Sequence, residues 1–263
     1  MDLGLKDKVA LVAAASQGLG RAVADELAAE GANLIICSRR QDKLDAVAQE
    51  IEERNGTRVA AIAGDLSEIN DIQRIVDHGI ERFGRIDILV TNIGGPPAGK
   101  FVSLTQQQWD AAARSLLTSV VTLTRLVLPG MKERGWGRIL NITSIAAKQP
   151  VENLILSNSL RAAVTGFAKT LADEVAEYGV TVNNILPGYT LTERVEQLAR
   201  SAAEKEGLEI NDVKHRWEAE IPMKRLGRPE EFAALAAFLV SERASYITGS
   251  SVAADGGWIR SLL

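Results

Sequence analysis

Residues 9–20 read V-A-L-V-A-A-A-S-Q-G-L-G, an apolar run that leads through a short turn into an amphipathic segment. A continuous apolar run of this length is typical of a strand that is buried on both faces. Gly18 and Gly20 stand where the next helix begins, and glycine there lets a phosphate group approach the free N–H groups of a helix N-terminus. The alternative is that the glycines only form a tight connection, because two glycines at such a turn are weak evidence by themselves.

The alternation of strand and helix patterns continues along the whole chain. Strand-like runs occupy residues 9–15, 33–38, 58–63, 86–92, 138–143, 180–186 and 251–254, and helical patterns occupy 19–29, 43–54, 68–83, 106–134 and 152–178. This alternation predicts an α/β fold with a doubly wound parallel sheet of about seven strands and helices on both faces. Ligands of such sheets bind beyond the carboxyl ends of the strands, so the loops that follow the strands are expected to carry the site.

Size and composition favour one domain and argue against several classes of partner. The 263 residues, 46% of them apolar, supply enough core for a single domain over residues 1–263. A net charge of −4 without a basic run argues against nucleic acid as a partner. Residues 1–8 lack the apolar core of a signal peptide, and we find no run of about 18 apolar residues, so a cytoplasmic protein without a membrane partner is expected. The single cysteine, Cys37, is expected to be buried and inert, and no metal site is expected.

The second strand ends in Ser38-Arg39-Arg40 rather than in an acidic residue. An acidic residue at this place accepts hydrogen bonds from the ribose 2′-hydroxyl of NAD(H), whereas Arg and Ser suit the 2′-phosphate of NADP(H). The residues therefore favour NADP(H) over NAD(H). The alternative is that both arginines are simply solvated where the second helix begins.

Residues 190–222 depart from the alternation, because this segment is helical in pattern but interrupted, charged and free of a strand. Long connections in compact domains are usually functional. We therefore interpret residues 190–222 as a lid over the substrate, with a decorative insertion as the alternative.

Several further segments of the chain also carry recognisable motifs. They are Gly64-Asp65-Leu66, Thr91-Asn92-Ile93-Gly94, Pro187-Gly188 followed by Thr190 and Thr192, and the C-terminal runs P-M-K-R-L-G-R-P-E-E-F and Y-I-T-G-S-S-V-A-A-D-G-G. With them, the sequence resembles the short-chain dehydrogenase/reductase family over essentially its whole length, in particular its 3-oxoacyl-acyl-carrier-protein reductase-like and glucose-dehydrogenase-like members. The resemblance implies a Rossmann-like, single dinucleotide-binding domain that transfers hydride between a nicotinamide and a carbonyl carbon.

The resemblance also implies which residues hold the cofactor. Asp65 matches an acidic residue that contacts adenine, and the loop with Thr190 and Thr192 matches the loop that holds the nicotinamide carboxamide. Ala14 replaces the turn glycine nearest the first strand, which costs about 1 kcal/mol or more if its φ is positive and little if it is negative. The implied cofactor-binding residues are Ala14, Ser16, Gln17, Gly18, Leu19, Gly20, Ser38, Arg39, Arg40, Asp65, Leu66, Asn92, Gly94, Arg161, Pro187, Gly188, Thr190 and Thr192.

The proton-transfer residues of the family are only partly present. The resemblance implies a Tyr as general acid/base, a Lys four residues later, a carbonyl-polarising Ser and an Asn that holds a relay water. Ser144 matches the Ser, but the family's spacing places Ser157 at the Tyr position, Arg161 at the Lys position and Leu116 at the Asn position. The active site is therefore expected to be atypical, with Arg161 able to bind ribose hydroxyls or an anionic group of a ligand.

Few other side chains can supply the proton. Of the three tyrosines, Tyr178 lies too far along its helix and Tyr246 belongs to a structural motif, so Tyr189, directly after Pro187-Gly188, is the best candidate for a relocated acid. Its alternative role is to wall the pocket. His215 in the presumed lid has a suitable pKa range, or is a solvated lid residue, and His78 is expected at the surface. Lys148 and Glu152 lie in the loop after Ser144, where charged side chains are usually solvated at the surface.

Three hypotheses follow, and they differ in whether the chain catalyses redox chemistry. The first is an NADP(H)-dependent oxidoreductase on a carbonyl or alcohol substrate, with Ser144, Ser157, Arg161 and Tyr189 as candidate catalytic residues. The second is a catalytically silent relative that binds a nucleotide or ligand as a sensor or partner subunit, and the third is a lyase or isomerase. The resemblance implies a homotetramer, or a homodimer, built on the helices that start near Gln106 and Glu152, and a small-molecule substrate that the sequence does not identify.

Overall fold

A computed structural model describes residues 2–262 and shows seven strands in one parallel sheet. The strands are β1 (Val9–Ala13), β2 (Asn33–Ser38), β3 (Val59–Ala63), β4 (Ile88–Thr91), β5 (Gly137–Ile142), β6 (Val180–Pro187) and β7 (Ser251–Ala254). Their order in the sheet is β3-β2-β1-β4-β5-β6-β7, and every neighbouring pair is parallel. The chain reverses its direction of winding between β1 and β4, which is the place where such sheets bind ligands.

The helices lie between the strands and cover both faces of the sheet. The α-helices are α1 (Gly18–Ala29), α2 (Gln41–Asn55), α3 (Ile69–Phe83), α4 (Gln106–Ala113), α5 (Ser119–Glu133), α6 (Ile155–Val175), α7 (Glu193–Glu206), α8 (Ile210–Glu220) and α9 (Pro229–Leu239). A π-helical turn at Arg114–Thr118 joins α4 to α5, and short 3₁₀ turns lie at Phe101–Ser103, Ile145–Ala147, Ala176–Tyr178 and Glu242–Ala244. The predicted single-domain Rossmann-like fold with a seven-stranded parallel sheet is confirmed.

The differences from the predicted boundaries have local causes. The first strand ends at Ala13 rather than at residue 15 because Ala14 takes a left-handed conformation, with φ +50°. The helix predicted over 152–178 begins at Ile155 because Asn153 is also left-handed, with φ +60°. The helix predicted over 106–134 is interrupted by the π-helical turn, and π-turns occur often at functional sites.

Two apolar cores hold the layers together, one on each face of the sheet. On one face α1, α2 and α9 pack against β1, with Phe232 of α9 among the largest fully buried side chains. On the other face α3, α5 and α6 pack against the strands through apolar side chains such as Ile75, Leu123 and Leu171. Because the strands are covered on both sides, their sequences are continuously apolar rather than alternating.

One helical segment among residues 2–262, Gln106–Glu133, is long and apolar enough to cross a membrane by length and composition alone. The sequence has no uninterrupted run of about 18 apolar residues, because Arg114, Arg125 and several Ser and Thr residues interrupt this segment, which meets the test only through its mean hydropathy. In the fold, however, Leu123, Val127 and Met131 of this segment are buried in the core beneath the sheet. The core helix of a globular domain passes the same length and composition test.

Cys37 lies in β2 and is fully buried, as predicted. Burial raises the pKa of its thiol to about 12, although a hydrogen bond from the backbone of Ala14 acts in the opposite direction. The thiolate is therefore scarce at neutral pH, and the side chain is chemically inert.

Charged residues at the amino ends of the strands are paired. Asp87, which directly precedes β4, is fully buried, and its Oδ2 accepts a hydrogen bond from the backbone N–H of Val9 at 3.0 Å. The Nε atom of Arg85 lies 2.8 Å from Asp87 Oδ2, and the Nε atom of Arg134 lies 3.5 Å from Asp87 Oδ1. Buried Arg138 in β5 lies 3.6 Å from the carboxylate of Glu242. These pairs stabilise the end of the sheet that lies opposite the expected site.

Candidate active site

The turn between β1 and α1 brings the helix start directly against the strand ends. A Cβ atom built on Gly20 would lie 2.4 Å from the carbonyl oxygen of Ala14 and 2.8 Å from Nδ2 of Asn92, so no larger residue fits. Gly18 has φ +61°, the left-handed region that favours glycine. Ala14 has φ +50° in the same turn, so the cost of about 1 kcal/mol that the sequence analysis made conditional does apply. Ser16 and Gln17 complete the turn before the N-terminus of α1.

Cations surround the carboxyl end of β2. Arg39 and Arg40 are exposed, and neither forms an ion pair within residues 2–262. The backbone N–H of Arg40 donates to Ser38 Oγ at 3.5 Å. The ammonium of Lys43 donates to Oε1 of Gln17 at 3.3 Å, which links α2 to the glycine turn. Lys43 was not predicted from the sequence, because only the packing of α2 beside the turn brings it to this place.

The ends of β3 and β4 supply the next part of the site. Asp65 Oδ1 accepts hydrogen bonds from the backbone N–H and the hydroxyl of Ser67, at 2.9 and 2.8 Å. Leu66 is buried and Asn92 is partly buried against Gly20. Gly94 is exposed, and no heavy atom lies within 4 Å of a Cβ built there.

The loop after β6 lies across the glycine turn. Thr190 is buried, and its hydroxyl donates to the carbonyl of Gly188 at 3.4 Å, while the Thr192 hydroxyl donates to the carbonyl of Thr190 at 3.2 Å. Pro187 and Gly188 are partly buried at the end of the strand. The carboxylate of Glu193 faces Gly18, since a Cβ built on Gly18 would lie 3.5 Å from Glu193 Oε2.

Ser157 and Arg161 form one hydrogen-bonded unit on α6. Nε of Arg161 donates to Oγ of buried Ser157 at 3.2 Å, and Nη1 donates to the carbonyls of Ile142 and Thr143 at 3.1 and 2.7 Å. These bonds fasten α6 to the carboxyl end of β5, where Ser144 follows. Ser144 is partly buried, and its Oγ accepts the backbone N–H of Ala146 at 3.1 Å. Three of the four candidate catalytic residues therefore lie around one strand end.

Arg161 remains a cation at neutral pH despite its surroundings. Burial, and to a smaller extent the positive charge of Arg194, lower the pKa of Arg161 to about 10. Since that value is about three units above neutrality, the Arg161 guanidinium stays protonated and positively charged at neutral pH.

A small cavity of about 10 Å³ lies beside Arg161. This is about the volume that one water molecule needs. Leu116, at the middle of the π-helical turn, lines the cavity together with Asn92, Thr143 and Ser119, and Arg161 is its one ionisable lining residue among residues 2–262. The hydroxyl of Ser119 donates to the carbonyl of Ser115 within the turn. The site thus contains space for one water next to a fixed positive charge.

Tyr189 lies apart from this cavity in an aromatic cluster. Its ring stacks on Trp217 of α8 with a centroid separation of 4.5 Å and meets Trp258 edge-on at 5.8 Å. Burial, and to a smaller extent Glu220, raise the pKa of its hydroxyl, so the group stays protonated at neutral pH. The stacked geometry matches the wall role that the sequence analysis gave as the alternative, and Tyr189 as a relocated acid stays a prediction.

The remaining titratable candidates are solvent-exposed. Tyr178 is exposed, and Tyr246 is fully exposed. His78 on α3 and His215 on α8 are exposed as well. Lys148 and Glu152 are likewise exposed in the loop after Ser144. In the part of the chain that the structure describes, no Tyr or His side chain lines the cavity beside Arg161.

Comparison with known proteins agrees with this geometry. Residues 13–259 match the family model described as enoyl-(acyl carrier protein) reductase. The NADPH-dependent reductase BacG of Bacillus subtilis is 32% identical over 98% of this chain and 100% of the relative, and the D-beta-hydroxybutyrate dehydrogenase of Cupriavidus necator is 35% identical over 97% and 99%. The chain belongs to the short-chain dehydrogenase/reductase family. The L-sorbose reductase of Gluconobacter frateurii, solved with NADPH and L-sorbose, superimposes with a TM-score of 0.95 at 35% identity, covering 100% of both chains.

Membership of the short-chain dehydrogenase/reductase family confirms the resemblance from the sequence at the level of family and fold. The NADPH in the sorbose reductase structure and the NADPH-dependence in the name of BacG agree with the preference for NADP(H) inferred from Ser38-Arg39-Arg40. The equivalence of Ser157 and Arg161 to the family's Tyr and Lys stays a prediction from spacing.

Arg194, which the sequence analysis did not identify, also lies at the site. It is the second residue of α7, and its Nη2 atom donates to the carbonyl of Pro96 at a long 3.4 Å. A Cβ built on Gly95 would lie 2.9 Å from that nitrogen, so the guanidinium lies directly over the loop after β4. No motif marks this residue, because the contact depends on how α7 folds back over the strand ends.

Proposed function

We propose that this protein is an NADP(H)-dependent oxidoreductase that transfers hydride between the nicotinamide and a carbonyl or alcohol substrate, with atypical proton-transfer machinery. The observation that carries the proposal is the nucleotide end of the site: a close-packed glycine turn at the start of α1, together with the cations Arg39 and Arg40, which form no ion pair within residues 2–262. The names of the relatives, a reductase and a dehydrogenase, support the same reaction class.

The residues at this end fit a phosphorylated dinucleotide. The N–H groups of the turn before α1 suit a pyrophosphate, and Arg39, Arg40 and Lys43 suit a 2′-phosphate. A bound nicotinamide would supply or accept the hydride. Thr190 and Thr192 lie in the loop after β6, and Thr192 contacts the turn at Gly18, so these threonines would hold the nicotinamide end of the cofactor.

The chain's own residues support the oxygen end of the substrate. Because Arg161 Nε already donates to the Ser157 oxygen, the Ser157 hydroxyl is directed to donate its own proton elsewhere. Ser144 and Ser157 then hydrogen-bond the carbonyl oxygen, and the Arg161 cation stabilises the negative charge that develops there. A serine hydroxyl is too weak an acid to be the net proton source at neutral pH, so we assign the proton to bulk solvent: the Ser157 hydroxyl passes its proton to the carbonyl oxygen and takes one back through a water, for which the cavity beside Arg161 has room. Tyr189 serves as the acid only if its ring leaves the stack on Trp217.

The proposal includes the segment 190–222 as a substrate lid. Its helices α7 and α8 lie beyond the strand ends, and Arg194 reaches from α7 to the loop after β4. We also propose a homotetramer, or a homodimer, of a cytoplasmic protein that acts on a small molecule, without nucleic acid or membrane as a partner.

The decisive experiment is a fluorescence titration with NADPH and NADH, followed by NADPH oxidation with a panel of ketones and aldehydes. We expect saturable NADPH binding that is weakened in Arg161→Ala, and turnover that falls about 10²- to 10³-fold in Ser144→Ala, because one donor to the developing oxyanion is removed. Failure to bind either nucleotide would refute the proposal.

A second candidate is a catalytically silent relative that binds a nucleotide or ligand. It is favoured by one observation: Nε and Nη1 of Arg161 are engaged in hydrogen bonds to Ser157 and to strand carbonyls, as in a structural role. NADPH binding without oxidation by any carbonyl compound would support this candidate over the reductase.

A further inference from the structure

Arg161 and Arg194 bring two guanidinium groups to the same end of the cleft. Arg161 lines the cavity together with Asn92 and Ile93, and Arg194 lies over Gly95 and Pro96. Residues 92–96 are one continuous stretch after β4, so the two cations lie at the same short loop, one carried by α6 and one by α7.

Neither cation has a carboxylate partner among residues 2–262. The ion pairs of this part of the chain involve other arginines and lysines. Glu193, the sequence neighbour of Arg194, faces Gly18 and does not neutralise it. Burial, and to a smaller extent the positive charge of Arg194, lower the pKa of Arg161, as expected for two cations without a carboxylate between them.

Both side chains keep donors free for a ligand. Nε and Nη1 of Arg161 are used by Ser157 and the β5 carbonyls, whereas its Nη2 has no acceptor within the described part of the chain. Among residues 2–262, Arg194 makes one long hydrogen bond, to Pro96, which leaves most of its five N–H donors available there. Guanidinium donors in this number match the oxygens of a carboxylate or a phosphate group.

We propose that Arg161 and Arg194 together bind an oxyanion, and that this oxyanion is a carboxylate or phosphate carried by the substrate. The assignment of this oxyanion to the substrate rests on the proposed function, and the position of the two arginines supports the assignment. Arg161 lies next to Ser144 and Ser157 at the end of β5, whereas the cations suited to the nucleotide's 2′-phosphate lie at the end of β2. The substrate class is therefore a carbonyl compound with an acidic group, such as an oxo acid or a phosphorylated ketone.

The first test measures oxyanion binding without any turnover. Inorganic phosphate and malonate are titrated calorimetrically into the wild type, Arg194→Ala, Arg161→Ala and the control Arg200→Ala, each with and without saturating NADPH. Arg200 is exposed on the same helix as Arg194 and is free of ion pairs within residues 2–262. We expect binding in the presence of NADPH that weakens about tenfold to a hundredfold in either site variant and is unchanged in the control. Arg194→Ala removes an exposed side chain, so this variant stays informative even if Arg161→Ala does not fold.

The second test compares carbonyl compounds with and without an acidic group. 4-Oxopentanoate is compared with pentan-2-one, and dihydroxyacetone phosphate with dihydroxyacetone, in NADPH oxidation by the wild type and Arg194→Ala. We expect the acidic member of a pair to have the higher kcat/KM, and Arg194→Ala to reduce only that advantage.

The outcomes separate the two proposals. Oxyanion binding without turnover of any ketone leaves the oxyanion site standing while the reductase function fails. If NADPH displaces the probes and Arg194→Ala weakens NADPH binding, the oxyanion is the pyrophosphate of the dinucleotide and the substrate class is overturned. If neither probe binds, with or without NADPH, the oxyanion site itself is overturned.

Discussion

Charged side chains form ion pairs at the amino ends of the strands, whereas several arginines at the carboxyl ends have no carboxylate partner among residues 2–262. At the amino ends, buried Asp87 is matched by Arg85, Arg134 and the N–H of Val9. At the carboxyl ends, Arg161 and Arg194 face the cleft without a carboxylate partner among residues 2–262, and the same holds for Arg39 and Arg40. Arg39, Arg40 and Arg194 are exposed, so the lack of a carboxylate costs them little stability, whereas Asp87 is fully buried and needs its partners. The contrast is expected if the paired end stabilises the fold and the cations of the other end bind the ligands proposed above.

The largest expected effect is at the paired end. Asp87→Ala leaves two arginines and a backbone N–H without their acceptor, and we expect the free energy of unfolding to fall by about 3–5 kcal/mol. Urea unfolding followed by circular dichroism measures it. Asp173→Ala, at an exposed position of α6, is the control and should change little. A loss equal to that of the control would remove the contrast between the two ends.

At the unpaired end, the double substitution Arg39→Ala/Arg40→Ala should alter binding rather than folding. We expect the affinity for NADPH to fall about tenfold to a hundredfold, because charge-assisted hydrogen bonds to the 2′-phosphate are lost. The affinity for NADH, which lacks this phosphate, should stay unchanged. If parallel fluorescence titrations show that the affinities for NADPH and NADH fall equally, these arginines do not bind the 2′-phosphate.

Ala14→Gly is expected to have a smaller, stabilising effect. Ala14 has φ +50°, and relieving its left-handed conformation should raise the free energy of unfolding by about 0.5–1 kcal/mol. Ala46→Gly, on the exposed side of α2, is a matched change that should lower it by about 1 kcal/mol. Thermal unfolding of both variants shows whether each substitution raises or lowers the free energy of unfolding. A lower stability of Ala14→Gly would contradict the strain at this turn.

The smallest effect is expected from pH in the neutral range. Burial depresses the pKa of Arg161 to about 10, so the cation is complete below that value and is lost as the pH rises through it. Because Arg161 is the one ionisable side chain among residues 2–262 that lines the cavity, we expect no ionisation in kcat/KM from the cavity between about pH 6 and about pH 9, and a fall near pH 10. A bell-shaped profile with an ionisation near neutrality would indicate a histidine or a relocated acid instead.

The sequence predicted the scaffold well because burial on both sheet faces leaves a strong, local signal. All seven strands lie where continuous apolar runs such as residues 33–38 and 180–186 placed them. The ends of elements were harder to predict, because they depend on single backbone conformations: Ala14 and Asn153 end or delay an element by adopting positive φ.

Residues of the candidate site could be predicted from the sequence only where they lie at the end of a strand and their side-chain type indicates a role. Ser38-Arg39-Arg40 and Ser144 follow strands directly, so their position at the carboxyl edge could be inferred from the sequence. Lys43 and Arg194 could not, since helix packing brings them to the site and no spacing rule marks them. The hydrogen bonds of Arg161 to the β5 carbonyls were equally invisible, because they join residues 18 and 19 positions apart.

The hydrogen bond between Ser157 and Arg161 also has an evolutionary consequence. Since each side chain is the other's partner, the effect of a substitution at one position depends on which residue occupies the other, and the two effects should not add. Selection therefore acts on the pair. A lineage that carries this pair would exchange it most readily through two coordinated changes, because each single step leaves a polar group without its neighbour.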